Sequence, residues 1–263
     1  MREFEYTVAE DVAGAVALVA AREDARFLGG GTNLVDLMKL GVERPGLLVD
    51  VTALPLSTVA RTADGGLRIG AMVRNSDLAA HPEVRRRYPV ISRAVLAGAS
   101  GQLRNVATVG GNLMQRTRCR YFVDVTKPCN RRAPGSGCPA RHGEHRNLAI
   151  LGGSAHCVAT HPSDLLVALV ALDTVVHLHE PGAGDRALPL TEFLRLPGDE
   201  PHRETTAAPG ALVTAVELPP PPDAAATYRK VRERASFAFA VASVAAALRV
   251  RDGRVEEVRL ALG

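Results

Sequence analysis

This sequence predicts an α+β protein, and three observations carry that reading. Short strand-like and helix-like segments alternate through the first third, a middle stretch loses all periodicity, and the chain closes on an Asp252-Gly253 turn between two apolar-patterned runs. Residues 12–21 have helical composition, with Val12, Val16 and Val19 on one face. Arg26-Phe27-Leu28 reads as a short strand running into Gly29-Gly30-Gly31, and residues 47–51 and 67–70 read as two more. Ser76 is placed to cap a helix beginning at Asp77 and breaking at His81-Pro82, and residues 89–96 form a further short helix. Over residues 116–146 no period survives, and Pro128, Pro134 and Pro139 interrupt the chain; such a stretch inside a folded unit is usually functional. Regular pattern returns at Leu148-Ala149-Ile150-Leu151. Ser163 then caps a helix over 164–172, which leads into a strand over 174–178. Pro219 to Pro222 is a stiff spacer. Beyond it, residues 228–231 and an Ala/Val-rich run lead to a hairpin pairing 245–251 with 254–262. One hairpin cannot bury a face alone, so the last unit is expected to be partial or to rest on neighbouring surface.

Composition excludes whole classes. The chain has 263 residues, 46% of them hydrophobic, enough for one large domain or two modest ones. Charged residues make up 23%, near the ordinary quarter, which rules out wholesale disorder. The net charge of +4 is small and scattered, and with no Trp and 4% aromatics the stacking platforms of a nucleic-acid binder are missing. The longest apolar stretches, 165–176 and 237–248, fall well short of the roughly 20 residues of a membrane span. Met1-Arg2-Glu3-Phe4-Glu5-Tyr6 holds no apolar export segment. The expected compartment is therefore the cytoplasm, or the periplasm if a partner subunit carries the chain out.

Cys119, Cys129, Cys138 and Cys157 are the only cysteines, and all fall within the aperiodic stretch or just beyond it. Two disulfides, a coincidental set of buried thiols and a metal or cluster site all stay open, although a reducing compartment weakens the disulfides. The spacing C-x9-C-x8-C-x18-C lacks the short pairing of structural zinc sites and departs from common ferredoxin runs, so spacing does not name a metal. Arg116, Arg118, Arg120, Lys127, Arg131, Arg132, Arg141 and Arg146 surround the four. They form either a solvated basic loop or the countercharge of an anionic thiolate centre. His142, His145, His156 and His161 are read as structural rather than as ligands.

Two glycine loops complete the inventory. Leu28-Gly29-Gly30-Gly31-Thr32-Asn33-Leu34 lets backbone N–H groups come close to a ligand, and Thr32 and Asn33 add side-chain donors. Neither the Rossmann fingerprint nor the phosphate-loop signature is present, because Leu34 stands where the third spaced glycine belongs and no Gly-Lys-Thr follows. Thr108-Val109-Gly110-Gly111-Asn112 repeats the design of two glycines followed by Asn. The pair could clamp a dinucleotide from two sides or be two tight turns.

Together with His161-Pro162-Ser163-Asp164 and Tyr228-Arg229-Lys230, these motifs resemble, in order, the FAD-binding subunit of molybdenum hydroxylases, the xanthine dehydrogenase and carbon monoxide dehydrogenase group. The resemblance implies a two-subdomain FAD-binding domain of the vanillyl-alcohol-oxidase/xanthine-dehydrogenase type over residues 1–218, with subdomains at about 1–52 and 53–218. A partial C-terminal α+β domain over 223–263 would follow. It implies FAD contacts from Arg26, Phe27, Leu28, Gly29, Gly30, Gly31, Thr32, Asn33 and Leu34, then from Thr108, Gly111 and Asn112. Asp164 would hold a ribose or ribityl hydroxyl, Val213 would be an apolar flavin contact and Lys230 would approach the flavin. Cys119-Arg120-Tyr121-Phe122, Pro128-Cys129-Asn130, the run ending in Cys138 and His156-Cys157-Val158 resemble the branch that includes periplasmic-type aldehyde oxidoreductases. In that branch a loop, here 116–157, holds a [4Fe–4S] cluster, so the resemblance makes all four cysteines ligands. It further implies a molybdenum-cofactor catalytic subunit and a small [2Fe–2S] subunit as partners, in a heterotrimer or its dimer. Electrons would pass from aldehyde oxidation through iron–sulfur centres to FAD here. Two rivals stay open: a stand-alone flavoprotein oxidoreductase, and a zinc- or disulfide-stapled binding module.

Overall fold

Three parallel strands begin the fold of the computed structural model, which describes all 263 residues. β1 (Glu5–Val8), β2 (Ala25–Leu28) and β3 (Leu47–Asp50) pair in the order β1-β3-β2, with Leu47, Leu48 and Val49 buried at the centre. Helix α1 (Val12–Ala20) crosses from β1 to β2. Asp11 caps it by accepting the Gly14 N–H at 2.7 Å, and Ala15, Val16 and Val19 form its buried face. The glycine triplet leaves the carboxyl end of β2 and leads into α2 (Leu34–Lys39). Crevices at the carboxyl ends of parallel strands are where such sheets take ligands.

The second sheet is antiparallel throughout. It is built from β4 (Val59–Arg61), β5 (Leu67–Gly70), β6 (Val175–Glu180), β7 (Gly184–Pro189) and β8 (Leu212–Leu218) in the order β4-β5-β8-β6-β7. Between β5 and β6 the chain makes α3 (Asn75–Ala80), α4 (Pro82–Arg87), α5 (Pro89–Ala97), α6 (Gly101–Arg104) and α7 (Val109–Leu113). It then runs through the cysteine segment, with only α8 (Arg120–Val123) and one 3₁₀ turn at Pro139–Arg141, before α9 (Asp164–Ala171). A short α10 (Leu190–Phe193) follows β7. One apolar core joins these layers, running from Val49 through Leu67, Ile91 and Leu169 to Val216 and Ala245. A separate small core of Leu37, Cys119, Phe122 and Cys129 lies under the cysteine segment.

The last sheet has the order β11-β10-β9, from β9 (Ala225–Val231), β10 (Ala242–Arg251) and β11 (Arg254–Leu262). Asp252 and Gly253 take φ of +47° and +74°, the two positive angles that a type I′ hairpin turn demands. Ala245, Ala247 and Ala261 face inward, where the sheet packs on α5 and α9. This sheet borrows its core, as its short run of strands requires.

Three local expectations change. Helix α3 starts at Asn75 with Arg74 in the cap position, and Ser76 turns its hydroxyl to the neighbouring Asp77. The Leu148–Leu151 run forms no regular element; Ile150 and Leu151 are 96% and 77% exposed, so four apolar residues in a row here had no layer to join. Val213, named above only for an implied flavin contact, belongs to a strand not expected from the sequence, β8 at the centre of the second sheet.

Gly70 ends β5 where the Leu56 carbonyl oxygen crosses it, 2.1 Å from where a Cβ would lie. Gly70→Ala is expected to destabilise the protein by about 1–3 kcal/mol through this backbone clash. An unchanged urea midpoint in that variant would refute the packing described for this corner.

Candidate functional site

The two glycine loops meet backbone to backbone. A Cβ at Gly30 would lie 2.0 Å from the Val106 carbonyl oxygen, and one at Gly110 would lie 2.9 Å from the Ala71 Cβ. Gly31 has φ +71°, which a side chain disfavours. Gly30 therefore makes room for the segment leading into the second loop, and Gly110 for the chain just after β5. At Gly30 the carbonyl of Val106 fills the space that a side chain would need. Thr108 caps α7 through its Oγ1, which accepts the Gly111 N–H at 3.2 Å. Asn112 Oδ1 accepts from the Ser163 hydroxyl, and Ser163 Oγ accepts the Leu166 N–H at 3.0 Å, which ties the second glycine loop to the start of α9.

Asn33 is the polar side chain left open at this seam. Its Oδ1 accepts the Arg116 main-chain N–H at 3.0 Å, while its Nδ2 is buried with no partner. A buried amide donor without an acceptor is costly, and a ligand oxygen would satisfy it. Phe27, Leu28 and Thr32 are half-buried beside it. Arg26 is held by its own neighbours, its Nη1 donating to the carbonyls of Glu23 and Ala25 and its Nε facing Glu43 at 3.4 Å. Val213 is buried within β8.

Asp164 and Lys230 are brought to one another. Lys230 Nζ pairs with Asp164 Oδ2 at 2.8 Å and donates to the Ala97 carbonyl at 3.2 Å, and both side chains of the pair are under 10% exposed. The Tyr228 hydroxyl donates to Asp164 Oδ1. Burial, then the Asp164 charge, push the Tyr228 phenol far above its ordinary range, so it stays a donor. Gly98 leaves the space that Asp164 occupies, since a Cβ there would lie 2.9 Å from Oδ2.

The four cysteines line one pocket, together with Phe122, Asn130 and His156. None forms a disulfide, and three are buried. No three His, Cys, Asp or Glu side chains stand close enough to share a single ion. Asn130 stitches the turns: its main-chain N–H donates to the Gly137 carbonyl and its Nδ2 to the His156 carbonyl, while its Oδ1 accepts the Gly137 N–H. The Cys157 thiol already receives N–H donors, from Ala159 at 3.4 Å and from Arg131 Nη2 at 3.8 Å. Burial pushes the Cys119 thiol up, so its thiolate form needs positive charge beside it. Buried free thiols with N–H donors aimed at sulfur are a donor set suited to soft metal.

Of the arginines around the cysteines, the structure places one on a thiol. Arg116 pairs with Glu43 and Glu204, Arg118 with Asp36, Arg120 with Glu144 and Arg146 with Glu233. Arg132 donates to the carbonyls of Tyr121, Phe122 and Lys127, and Arg141 to that of Ala155. Only Arg131 reaches sulfur. Burial disfavours the Arg116 cation, but Glu204 and Glu43 outweigh it and hold the guanidinium firmly charged.

Residues 2–221 match the family described as the FAD binding domain in molybdopterin dehydrogenase. The chain belongs to this family. It is 53% identical over 263 residues to the aldehyde oxidoreductase FAD-binding subunit PaoB of Escherichia coli K12, covering 100% of this chain and 81% of that one. It is 26% identical over 261 residues to the glyceraldehyde dehydrogenase medium chain of Sulfolobus acidocaldarius, covering 99% of this chain and 75% of that one. Its fold matches Hydrogenophaga pseudoflava carbon monoxide dehydrogenase with a TM-score of 0.73 at 24% identity, covering 99% of this chain and 74% of that one. The fold is thus an α+β FAD-binding domain of the vanillyl-alcohol-oxidase/xanthine-dehydrogenase type with added C-terminal strands. The protein is the FAD-binding, electron-transferring oxidoreductase subunit of a molybdenum-hydroxylase-type complex. No helix is long and apolar enough to cross a membrane.

Sequence reasoning missed Glu43 and Glu204, which belong to no motif and sit 73 and 88 residues from the Arg116 they hold. The motif around Tyr228 gives its hydroxyl no role, whereas the fold puts it on Asp164. The Lys230–Asp164 pair generates a test. Lys230→Met strands a buried carboxylate and is expected to cost about 3–5 kcal/mol, whereas adding Asp164→Asn should restore most of it. Equal losses in the single and double variants, measured by urea denaturation, would disprove the coupling.

Proposed function

We propose that this subunit carries FAD at the seam of the two glycine loops and a [4Fe–4S] cluster on Cys119, Cys129, Cys138 and Cys157, within an aldehyde-oxidising complex. The convergence of four free, unbridged cysteines on one pocket is the observation that carries this reading. Four free thiols on one pocket are the number of thiolates that such a cluster takes. Similarity to an aldehyde oxidoreductase subunit over the whole chain supports aldehydes as the substrate class. This subunit's partners would be a molybdenum-bearing catalytic subunit and a small [2Fe–2S] subunit.

When bound, FAD would let the chain take electrons singly and release them in pairs. The residues' own parts are to bind and to shield. Asn33 Nδ2 would donate to the dinucleotide, Gly29 to Gly31 would bring main-chain N–H groups near it, Gly111 would let the second loop approach it, and Thr108 would fix that loop by accepting the Gly111 N–H. Asp164 and Lys230 hold the final sheet against the FAD-binding layers, from where Lys230 would border the flavin. Around the thiols, Phe122 excludes water while Ala159 N–H and Arg131 disperse negative charge on sulfur.

Two substitutions test the sites separately. Asn33→Asp keeps the acceptor for the Arg116 N–H but replaces the open donor with a charge. Flavin content should fall at least severalfold with iron unchanged, and full FAD occupancy would rule out Asn33 as a contact. Cys138→Ser swaps a soft thiolate for a hydroxyl, so iron and sulfide should be lost, residues 116–146 should become more protease-sensitive, and most FAD should stay. Wild-type protein prepared without oxygen that contains zinc, or no iron, would sink the cluster. Co-purification of one large and one small subunit tests the partners.

A further inference from the structure

One carboxylate touches the arginines of both sites. Glu204 Oε1 pairs with Arg116 Nη2 at 2.8 Å, and its Oε2 pairs with Arg131 Nη1 at 3.2 Å. Arg116 in turn donates its main-chain N–H to Asn33 at 3.0 Å, and Arg131 lies 3.8 Å from the Cys157 sulfur. The contacts run unbroken from the glycine loop to the thiol pocket: Asn33, Arg116, Glu204, Arg131, Cys157. Glu204 is itself fixed from behind, because its carbonyl accepts the Arg195 N–H at 3.1 Å and Thr205 bridges to Leu194.

The two arginines are not held equally. Arg116 has a second carboxylate in Glu43 and lies over the Phe122 ring at 4.6 Å. Arg131 has Glu204 as its sole ion-pair partner, and its Nε is buried without any acceptor. An arginine side chain has many rotamers, and a cation tunes a thiolate centre only while it stays within a few ångströms. We propose that Glu204 is a positioning residue for both cofactor sites: it pins Arg131 against the thiol pocket and Arg116 behind Asn33, so that one carboxylate sets the electrostatics of the cluster and the order of the flavin loop. This rests on the iron–sulfur reading above.

The two possible roles of Glu204 have opposite signatures. A cation near the thiolates favours the more negative, reduced cluster and raises its potential; a nearby anion lowers it. If Glu204 acts as a bare charge, removing it raises the potential. If it acts by holding Arg131, its removal lets the cation go and the potential falls.

The test uses protein purified without oxygen, together with any subunits that accompany it. The cluster potential is read by EPR-monitored titration, and FAD affinity by the fluorescence of released flavin. Arg131→Met should lower the potential and leave FAD affinity unchanged. Arg116→Met should weaken FAD severalfold and leave the potential unchanged. Glu204→Ala should do both, lowering the potential and weakening FAD. Glu204→Gln keeps an oxygen to hold Arg131 while losing the charge, so its potential should rise. Opposite shifts in Glu204→Ala and Glu204→Gln support positioning. A rise in Glu204→Ala, or no change, overturns it. Should Glu204→Ala fail to fold, Glu204→Gln and Arg131→Met decide, and shifts in the same direction overturn the proposal. Absence of iron from the wild type defeats the cluster reading separately. The flavin arm then remains, and unchanged FAD affinity in Glu204→Ala overturns the rest.

Discussion

The contact between Gly30 and the Val106 carbonyl fixes how the two FAD-binding layers meet. One loop leaves the parallel sheet and the other precedes α7, and no side-chain atom fits between Gly30 and Val106. Close backbone approach of this kind is rigid, since neither side has rotamers to adjust. From it follow the place of Thr108 against Gly29, the turn at Gly31 and the position of Asn33 beside Arg116. The donors at the seam are thus set by main-chain geometry before any ligand arrives, which is what preorganised binding of a dinucleotide requires.

Charge is organised by the same economy. A dense set of arginines around four cysteines suggests a general positive field, but the structure neutralises most of them on carboxylates and carbonyls. What remains on sulfur is specific, with Arg131 and the Ala159 N–H both on Cys157. Asn130 joins three turns of a segment that has almost no regular secondary structure, so side-chain hydrogen bonds there do the work that helices and strands do elsewhere. The small core of Leu37, Cys119, Phe122 and Cys129 anchors this loop to α2, the helix that follows the glycine triplet.

The last sheet shows how a short unit is kept in place. Ala245, Ala247 and Ala261 on its inward face permit close packing on α5 and α9 but contribute little apolar area per residue. The buried Lys230–Asp164 pair, with Tyr228 on the second carboxylate oxygen, adds a directional constraint. Such a pair contributes little net stability yet is costly to break on one side, so it favours a single docking geometry over alternatives.

Much of this was legible in the sequence, because local patterning dictates it. The Asp252-Gly253 turn, the α1 face of Val16 and Val19, the Ser163 cap and the glycine triplet are each specified by neighbours within a few residues. The cysteine cluster stood out from composition alone, and the ordered motifs led to the family. Tertiary structure decided which main-chain atoms Gly30 packs against, which arginine of eight basic neighbours reaches sulfur, and that Asp164 and Lys230 face each other. It also left Ile150 and Leu151 in solvent, although their pattern resembles that of a strand. The reason is physical. A turn or a cap is a short-range preference of the backbone, whereas the partner of a buried charge is whatever group the fold brings within about 4 Å, here from as far as 133 residues along the chain, and no local pattern encodes that distance.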